Sequence, residues 1–191
     1  MLLLLLASRV SASDFYVEGD VAVGVALLPA SEPVHNSSGK LDDSGYGELF
    51  REYRLGLGYG LTNWARMAVL VNLQEEINGS DDDDEENDGI YTSEDLDGYD
   101  AIGVSLNVTL RLPSEVFSPY VSAGSQCSMV WIRARNDTAW NQSDCAARLA
   151  VGLEFFTTVS LESGHARLEL ARGAVGPLRY YTLGVGLTGF F

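Results

Sequence analysis

Residues 181–191 read YTLGVGLTGFF, and taking every second residue sorts them onto two faces. Tyr181, Leu183, Val185, Leu187, Gly189 and Phe191 fall on one side, and Thr182, Gly184, Gly186, Thr188 and Phe190 on the other. A period of two belongs to a strand, because successive side chains alternate across a sheet, whereas a helix repeats every 3.6 residues. One face is bulky and apolar, with Gly189 the exception, and the other is small or polar.

Seven further segments alternate in the same way, at about residues 15–27, 46–61, 66–74, 101–112, 120–128, 145–156 and 165–171. In the fourth, Ile102, Val104, Leu106, Val108 and Leu110 oppose Gly103, Ser105, Asn107, Thr109 and Arg111. The seventh is the least regular, and Gly164 is placed to host a bulge that would switch its faces. Between segments, the stretches 28–45, 75–100 and about 129–144 are long, polar and rich in Ser, Asn, Asp and Gly. Those at 62–65, 113–119 and 157–160 are brief, as is the last connection at about 172–179. Long and short connections therefore alternate between the two ends of an eight-stranded antiparallel up-and-down β-barrel.

Such a barrel can stand in water with its apolar face inward, or in a membrane with that face outward. Glycine separates the two. Gly24, Gly56, Gly58, Gly60, Gly103, Gly152, Gly184 and Gly186 share the face opposite the aliphatics. A solvated surface has no need of them, but the cramped bore of eight strands does. The aliphatic faces carry essentially one charge, Arg51, near an outer strand end from which it can snorkel to headgroups. Aromatics fall at the expected boundaries: Tyr59, Trp64, Phe117, Phe155 and Phe191 at the inner edge, and Tyr46, Tyr99 and Tyr181 at the outer. The fold class read from the sequence is a transmembrane β-barrel occupying residues 13–191.

The first residues fit that compartment. Met1 to Leu6 is an apolar run, and Val10-Ser11-Ala12 offers the small-x-small site of a signal peptidase, so residues 1–12 read as a signal peptide. The run is far shorter than the roughly 20 residues of a spanning helix. The chain carries 12 basic and 27 acidic residues, and 13 of the acids lie between Glu75 and Asp100, where there is no Lys or Arg. Nucleic acid, which wants a basic face, is excluded as a partner.

The inward faces supply Glu18, Asp20, Glu52, Glu154 and Glu169 against Arg54, Arg66, Arg111, Arg148 and Arg167. Five acids matched by five bases read as an interior ion-pair plug, since an unmatched charge in a narrow bore is costly. The sharper alternative is a gate that opens by exchanging partners. Cys127 and Cys145 flank the third long connection. Setting Val121 opposite Val151 and Ala123 opposite Leu149 brings the two cysteines face to face, and in an oxidising periplasm a cross-strand disulfide is expected, the alternative being free thiols for metal binding or catalysis. In the acidic stretch, Asp84, Glu86 and Asp88 precede Gly89, and Asp95 and Asp97 precede Gly98. Alternate oxygens closed by a glycine suit Ca2+, while the plainer reading is a solvated charge run. No other cofactor is indicated.

The whole mature chain resembles the small eight-stranded outer-membrane proteins of the OmpA-transmembrane, opacity-protein and OmpW-like superfamily, and Pro119-Tyr-Val-Ser-Ala-Gly124 is similar to the strand-five signature found there. The resemblance implies a bacterial outer-membrane location among lipid and lipopolysaccharide, and a non-enzymatic structural, adhesin or surface-antigen role. It also implies contact with a host or cell-surface ligand through the long outer loops. Tyr181, Leu183, Val185, Leu187 and Phe191 would be the sorting signal read by the barrel-assembly machinery. The alternatives are a small gated channel or a lipid A-modifying enzyme. For the latter, Ser163, His165 and Glu169 resemble the Ser, His and Glu of outer-membrane lipid A deacylases, but with His and Ser in reversed order and on the inward face. The second histidine, His35, lies in an outer loop.

Overall fold

The computed structural model describes residues 15–28, 40–41, 46–77, 90–91, 96–112, 114, 117–134, 137–157, 164–176 and 178–190. Eight strands form the barrel: β1 (Phe15–Leu28), β2 (Tyr46–Thr62), β3 (Ala65–Glu76), β4 (Leu96–Arg111), β5 (Phe117–Ala134), β6 (Asp137–Thr157), β7 (Gly164–Val175) and β8 (Leu178–Phe190). Each pairs antiparallel with its sequence neighbours, and β8 closes on β1. A two-residue parallel pair, Lys40–Leu41 with Ile90–Tyr91, joins the first and second long connections.

Register fixes the geometry. Stepping across the ladders from Phe15 leads through Tyr59, Met67, Val108, Ala123, Leu149, Arg172 and Tyr181 to Val25, back on β1 but further along it. A stagger of this kind tilts the strands by roughly 40° and leaves an interior that side chains fill.

The faces sort as the alternation requires. Leu55, Leu57, Val69, Val104, Leu106, Val121, Val151, Leu183, Val185 and Leu187 all point outward and are exposed, while the ten charged positions of the bore point inward. No bulge interrupts β7 at Gly164, which pairs in register with both Thr157 and Gly189. Phe15, Tyr59, Trp64, Phe117 and Phe155 ring the inner edge, and Tyr181 lies at the outer. Each keeps part of its ring exposed, as suits an interface residue.

Turn chemistry accounts for the short links. At the β2–β3 turn the Thr62 hydroxyl accepts from the backbone amides of Trp64 (3.3 Å) and Ala65 (3.0 Å), the local capping that lets Thr close a tight turn. Between β7 and β8 the chain reverses at Gly176, whose φ of 55° is left-handed backbone where a side chain would be strained.

Three expectations need correction. Tyr99 is not part of the outer belt: it is fully buried and donates to Gln74 Oε1 at 2.6 Å. Position 99 shares the inward parity of Ala101 and Gly103, which the belt assignment ignored. The region 129–144 is mostly strand, because β5 runs to Ala134 and β6 starts at Asp137. Beyond Met129 the described outward residues there are Trp131, Asn141 and Ser143 rather than aliphatics, so the pattern by which the other strands were recognised is lost. The last connection, expected at 172–179, is a two-residue turn, and the rest of that stretch is strand. The proposed signal peptide, His35, Ser163, Phe191, the calcium candidates Asp84, Glu86, Asp88 and Asp95, and the side chains of Tyr46 and Asp97 lie outside the described residues.

Candidate functional site: a bore filled in three layers

The inner end of the bore is built around Glu154 on β6. Its carboxylate accepts from Arg66 of β3 and, at 3.3 Å, from Arg111 of β4, and His165 Nδ1 of β7 lies 3.9 Å from it. Tyr16 covers this layer, donating to the Met67 carbonyl at 3.0 Å and packing on Phe190 with ring centroids 5.4 Å apart. His165 thus faces Glu154. Glu169, the third member of the Ser-His-Glu set, is engaged elsewhere.

In the middle layer Glu169 accepts from Arg54 at 2.6 Å, from Arg148 at 2.9 Å and from the Tyr120 hydroxyl at 2.9 Å. Arg54 also lies 3.5 Å from both Asp20 and Glu52. Below it Arg167 grips Asp20 in a two-pronged contact and donates to Glu18 at 2.8 Å. The ten charges are therefore brought together in two connected groups. All but Arg111 are buried. Forked guanidinium–carboxylate geometry is what makes such burial tolerable, since each charge then finds directed partners in a medium of low dielectric.

The outer layer is apolar. Ala26, Phe50, Tyr99, Ala101, Val130, Ile132, Val175, Leu178 and Tyr180 form one buried cluster spanning the barrel's outer end. Phe50 sits at its centre, with ring centroids 5.2 Å from Tyr99 and 6.2 Å from Tyr180. Tyr99 links the cluster to the ionic layer through Gln74, which donates to Glu52 at 2.9 Å.

Sequence reasoning missed this outer plug and the interior tyrosines. Tyr16, Tyr120 and Tyr180 lie directly across the ladder from Gly58, Gly152 and Gly173. A Cβ on any of these glycines would come within 2.0–2.4 Å of the facing ring. Each ring thus occupies the space a side chain would need, which explains in steric terms why the bore is glycine-rich. The signal was present as inward-parity tyrosines whose register partner is glycine.

Cys127 and Cys145 are bonded, outside the bore, on the hairpin of β5 and β6. Beside them β6 loses its second neighbour, because its ladder with β7 ends at Leu149. Tyr181, Leu183, Val185 and Leu187 line the outward face of β8. Among the described residues no group of acidic, Cys or His side chains is arranged to hold a metal ion.

Closure without an edge, aliphatics outward, aromatic girdles and a polar bore define a membrane-spanning barrel, since backbone polar groups in hydrocarbon must all be paired within the structure. Its fold is that of the small eight-stranded outer-membrane proteins. Among solved structures the chain is similar to neisserial surface protein A, with 14% identity over 95% of this chain and 99% of that one at a TM-score of 0.63. It is also similar to the N-terminal β-barrel domain of Pseudomonas aeruginosa OprF, with 15% identity over 91% and 97% at a TM-score of 0.53. No protein-family model and no curated protein sequence matches the chain.

Proposed function

We propose that the chain is an integral, non-enzymatic protein of a bacterial outer membrane with a structural and surface-contact role, presenting its long outer connections and the β5–β6 hairpin to partners outside the cell. The observation that carries this reading is the filled bore. Among the described residues an apolar cluster stands above two ionic layers, which supports a closed bore over transport even though Arg54 has three carboxylates within reach. On this reading the terminal strand with Phe191 is what the assembly machinery recognises, no resident cofactor is needed, and Ca2+ in the acidic connection remains a loop-ordering option. A host or cell-surface ligand would meet the hairpin, which the disulfide braces.

Two measurements test it. Purified protein in planar bilayers should give no steady conductance; a conductance abolished by Arg54→Gln would replace this reading with the gated channel. Cells displaying the full chain should adhere to a target surface, and a variant whose hairpin is shortened between Trp131 and Asn141, keeping the disulfide, should lose that adhesion. Release of fatty acid from lipid A, lost on His165→Ala, would instead establish the enzyme.

A further inference from the structure

The ten bore charges balance in sum but not in place. The larger connected group sets Arg54, Arg148 and Arg167 against Glu18, Asp20, Glu52 and Glu169, one carboxylate too many. The inner layer sets Arg66 and Arg111 against Glu154 alone, one guanidinium too many. Away from water such a surplus is poorly screened, and a counterion gains most where it can reach one.

The donors of the inner layer carry the same imbalance. Arg66 is buried and gives Nη2 to Glu154, while among the described residues its Nε and Nη1 meet no acceptor. A guanidinium is all donor, and buried N–H groups are ordinarily paired, so the greater part of this one's capacity is unspent. Arg111 supplies the way in. It is the one bore charge that is not buried, its side chain 19% exposed, and the Asn63 carbonyl holds it at the inner mouth by accepting from Nε at 2.8 Å. Aromatic rings close the other sides. The Arg66 guanidinium lies 5.4 Å from the centroid of Tyr16, and Phe190 packs on both Tyr16 and His165.

We propose that the inner mouth of the barrel is a binding site for one carboxylate group, entering on the side where Arg111 is exposed and held by the guanidiniums of Arg66 and Arg111 beside Glu154. A single negative charge cancels the local surplus, and the two oxygens of a carboxylate match a guanidinium fork. A free acid and the end of a peptide offer the same group. That the mouth opens to the periplasm rests on the membrane reading above, whereas the site itself does not.

The test follows the side-chain Nε–H signals of Arg66 and Arg111 by nitrogen-resolved NMR of the full chain in detergent micelles. Ionic strength is held constant with chloride, at a pH above the histidine range so that His165 adds no charge. The probes are acetate, a free acid, and N-acetyl-alanyl-alanine, a carboxylate carried on a peptide, with the amide of that peptide as control. Acetate should move both signals to saturation; a matching response to the peptide assigns the site to chain-borne carboxylates as well, and its absence to small free acids. Arg111→Gln leaves one guanidinium against one carboxylate and should weaken binding about ten-fold or more, as the loss of a charge-assisted hydrogen bond implies. Glu154→Gln removes the resident carboxylate and doubles the surplus, so it should tighten binding, by about ten-fold if the ligand takes over that hydrogen bond. A merely structural ion pair predicts no such reversal. Heat-modifiable migration on gels checks that each variant folds; should Glu154→Gln fail to, Arg111→Lys, which keeps the charge, is to retain the binding that Arg111→Gln loses. The proposal is overturned by the absence of a saturable shift with either carboxylate, or by an equal shift with chloride or the peptide amide. It is equally overturned if folded Glu154→Gln binds no tighter than wild type, or if Arg111→Lys binds no better than Arg111→Gln.

Discussion

Within one set of continuous strands, the bore inside the membrane and the outer end of the barrel carry opposite hydrophobic patterns. In the bore, Arg54, Arg148 and Glu169 are inside while Leu55, Leu149 and Leu170 are outside. At the outer end Phe50, Val130, Ile132 and Leu178 are inside, and on the hairpin Asn141 and Ser143 are outside. β5 makes the switch along its own length, from inward Ser122 and Gln126 to inward Val130 and Ile132. The difference teaches that the pattern follows the surrounding medium rather than the fold. Burying an aliphatic side chain stabilises only when the alternative is water. Facing lipid it has nothing to gain from the interior, and the bore is left to groups that satisfy one another. Above the membrane the same strands return to the rule of a soluble protein.

The comparison breaks most readily at its two centres. Glu169→Ala leaves Arg54 and Arg148 without their shared carboxylate, and losing one partner of a buried ionic set costs about 3–5 kcal/mol. Ile132→Ala in the outer cluster is expected to cost about 2–5 kcal/mol through lost burial and the cavity left behind. Urea titration of the protein in lipid vesicles, read by the folded band on unheated gels, measures both. Rescue tells the two regions apart. Adding Arg148→Met to Glu169→Ala should recover part of the loss, because it removes the cation whose hydrogen-bond partner is gone while Arg54 stays beside Glu52 and Asp20, and no such pairing restores Ile132→Ala. A Glu169→Ala variant as stable as wild type would mean that the ionic layer does not hold the bore together.

The outer surfaces should differ as well. Leu55→Arg puts a charge on the lipid face and should cost about 2–4 kcal/mol. Ser143→Arg, outward on the hairpin beyond the aliphatic band, should stay within about 0.5 kcal/mol. Comparable losses at the two sites, in the same vesicle titration, would place the membrane boundary somewhere other than where the aliphatic band ends.

Much of this was legible in the sequence because a thin wall between lipid and a narrow bore forces strict alternation. The faces of β4 and β8 and the inward parity of all ten bore charges follow from period two alone. The opposition of Cys127 and Cys145 needed one further step, a register for β5 and β6 taken from Val121 and Val151. Individual ion pairs were out of reach. Arg54 and Glu169 are 115 residues apart and meet across the bore, on strands that share no ladder, so their contact depends on the stagger of the whole barrel. The outer plug was hidden for a different reason. Phe50, Val130 and Ile132 lie on the inward parity, but a pattern tuned to aliphatics facing lipid treats apolar inward residues as noise. Tyr99 was misplaced by composition at a strand end, where its parity alone would have put it inside.

The glycines give a third, smaller test, of whether the bore is fitted or merely permissive. At Gly152 a Cβ would lie 2.4 Å from both the Leu168 carbonyl oxygen and the Tyr120 ring. Because one of these atoms is backbone, Gly152→Ala cannot be relieved by a rotamer change, and overpacking should cost about 1–3 kcal/mol. Gly189, with nothing within 4 Å of its Cβ position, is the control, and Gly189→Ala should be near neutral in the same titration. If both alanines were equally tolerated, the tyrosine–glycine pairs would be coincidences of register.

The smallest expected effect concerns the inner end. Tyr16→Phe keeps the ring over Gly58 and its contact with Phe190, and removes only the hydroxyl that donates to the Met67 carbonyl. A single buried hydrogen bond of this kind contributes about 1 kcal/mol. Tyr16→Ala also empties the space above Gly58 and should cost about 3–5 kcal/mol, as for other large aromatic truncations. The gap between the two variants isolates what the ring does from what its hydroxyl does. Were Tyr16→Phe as damaging as Tyr16→Ala, the hydrogen bond rather than the ring-on-glycine packing would be what closes the inner end, and the bore would be organised by polar contacts from there up to the apolar plug.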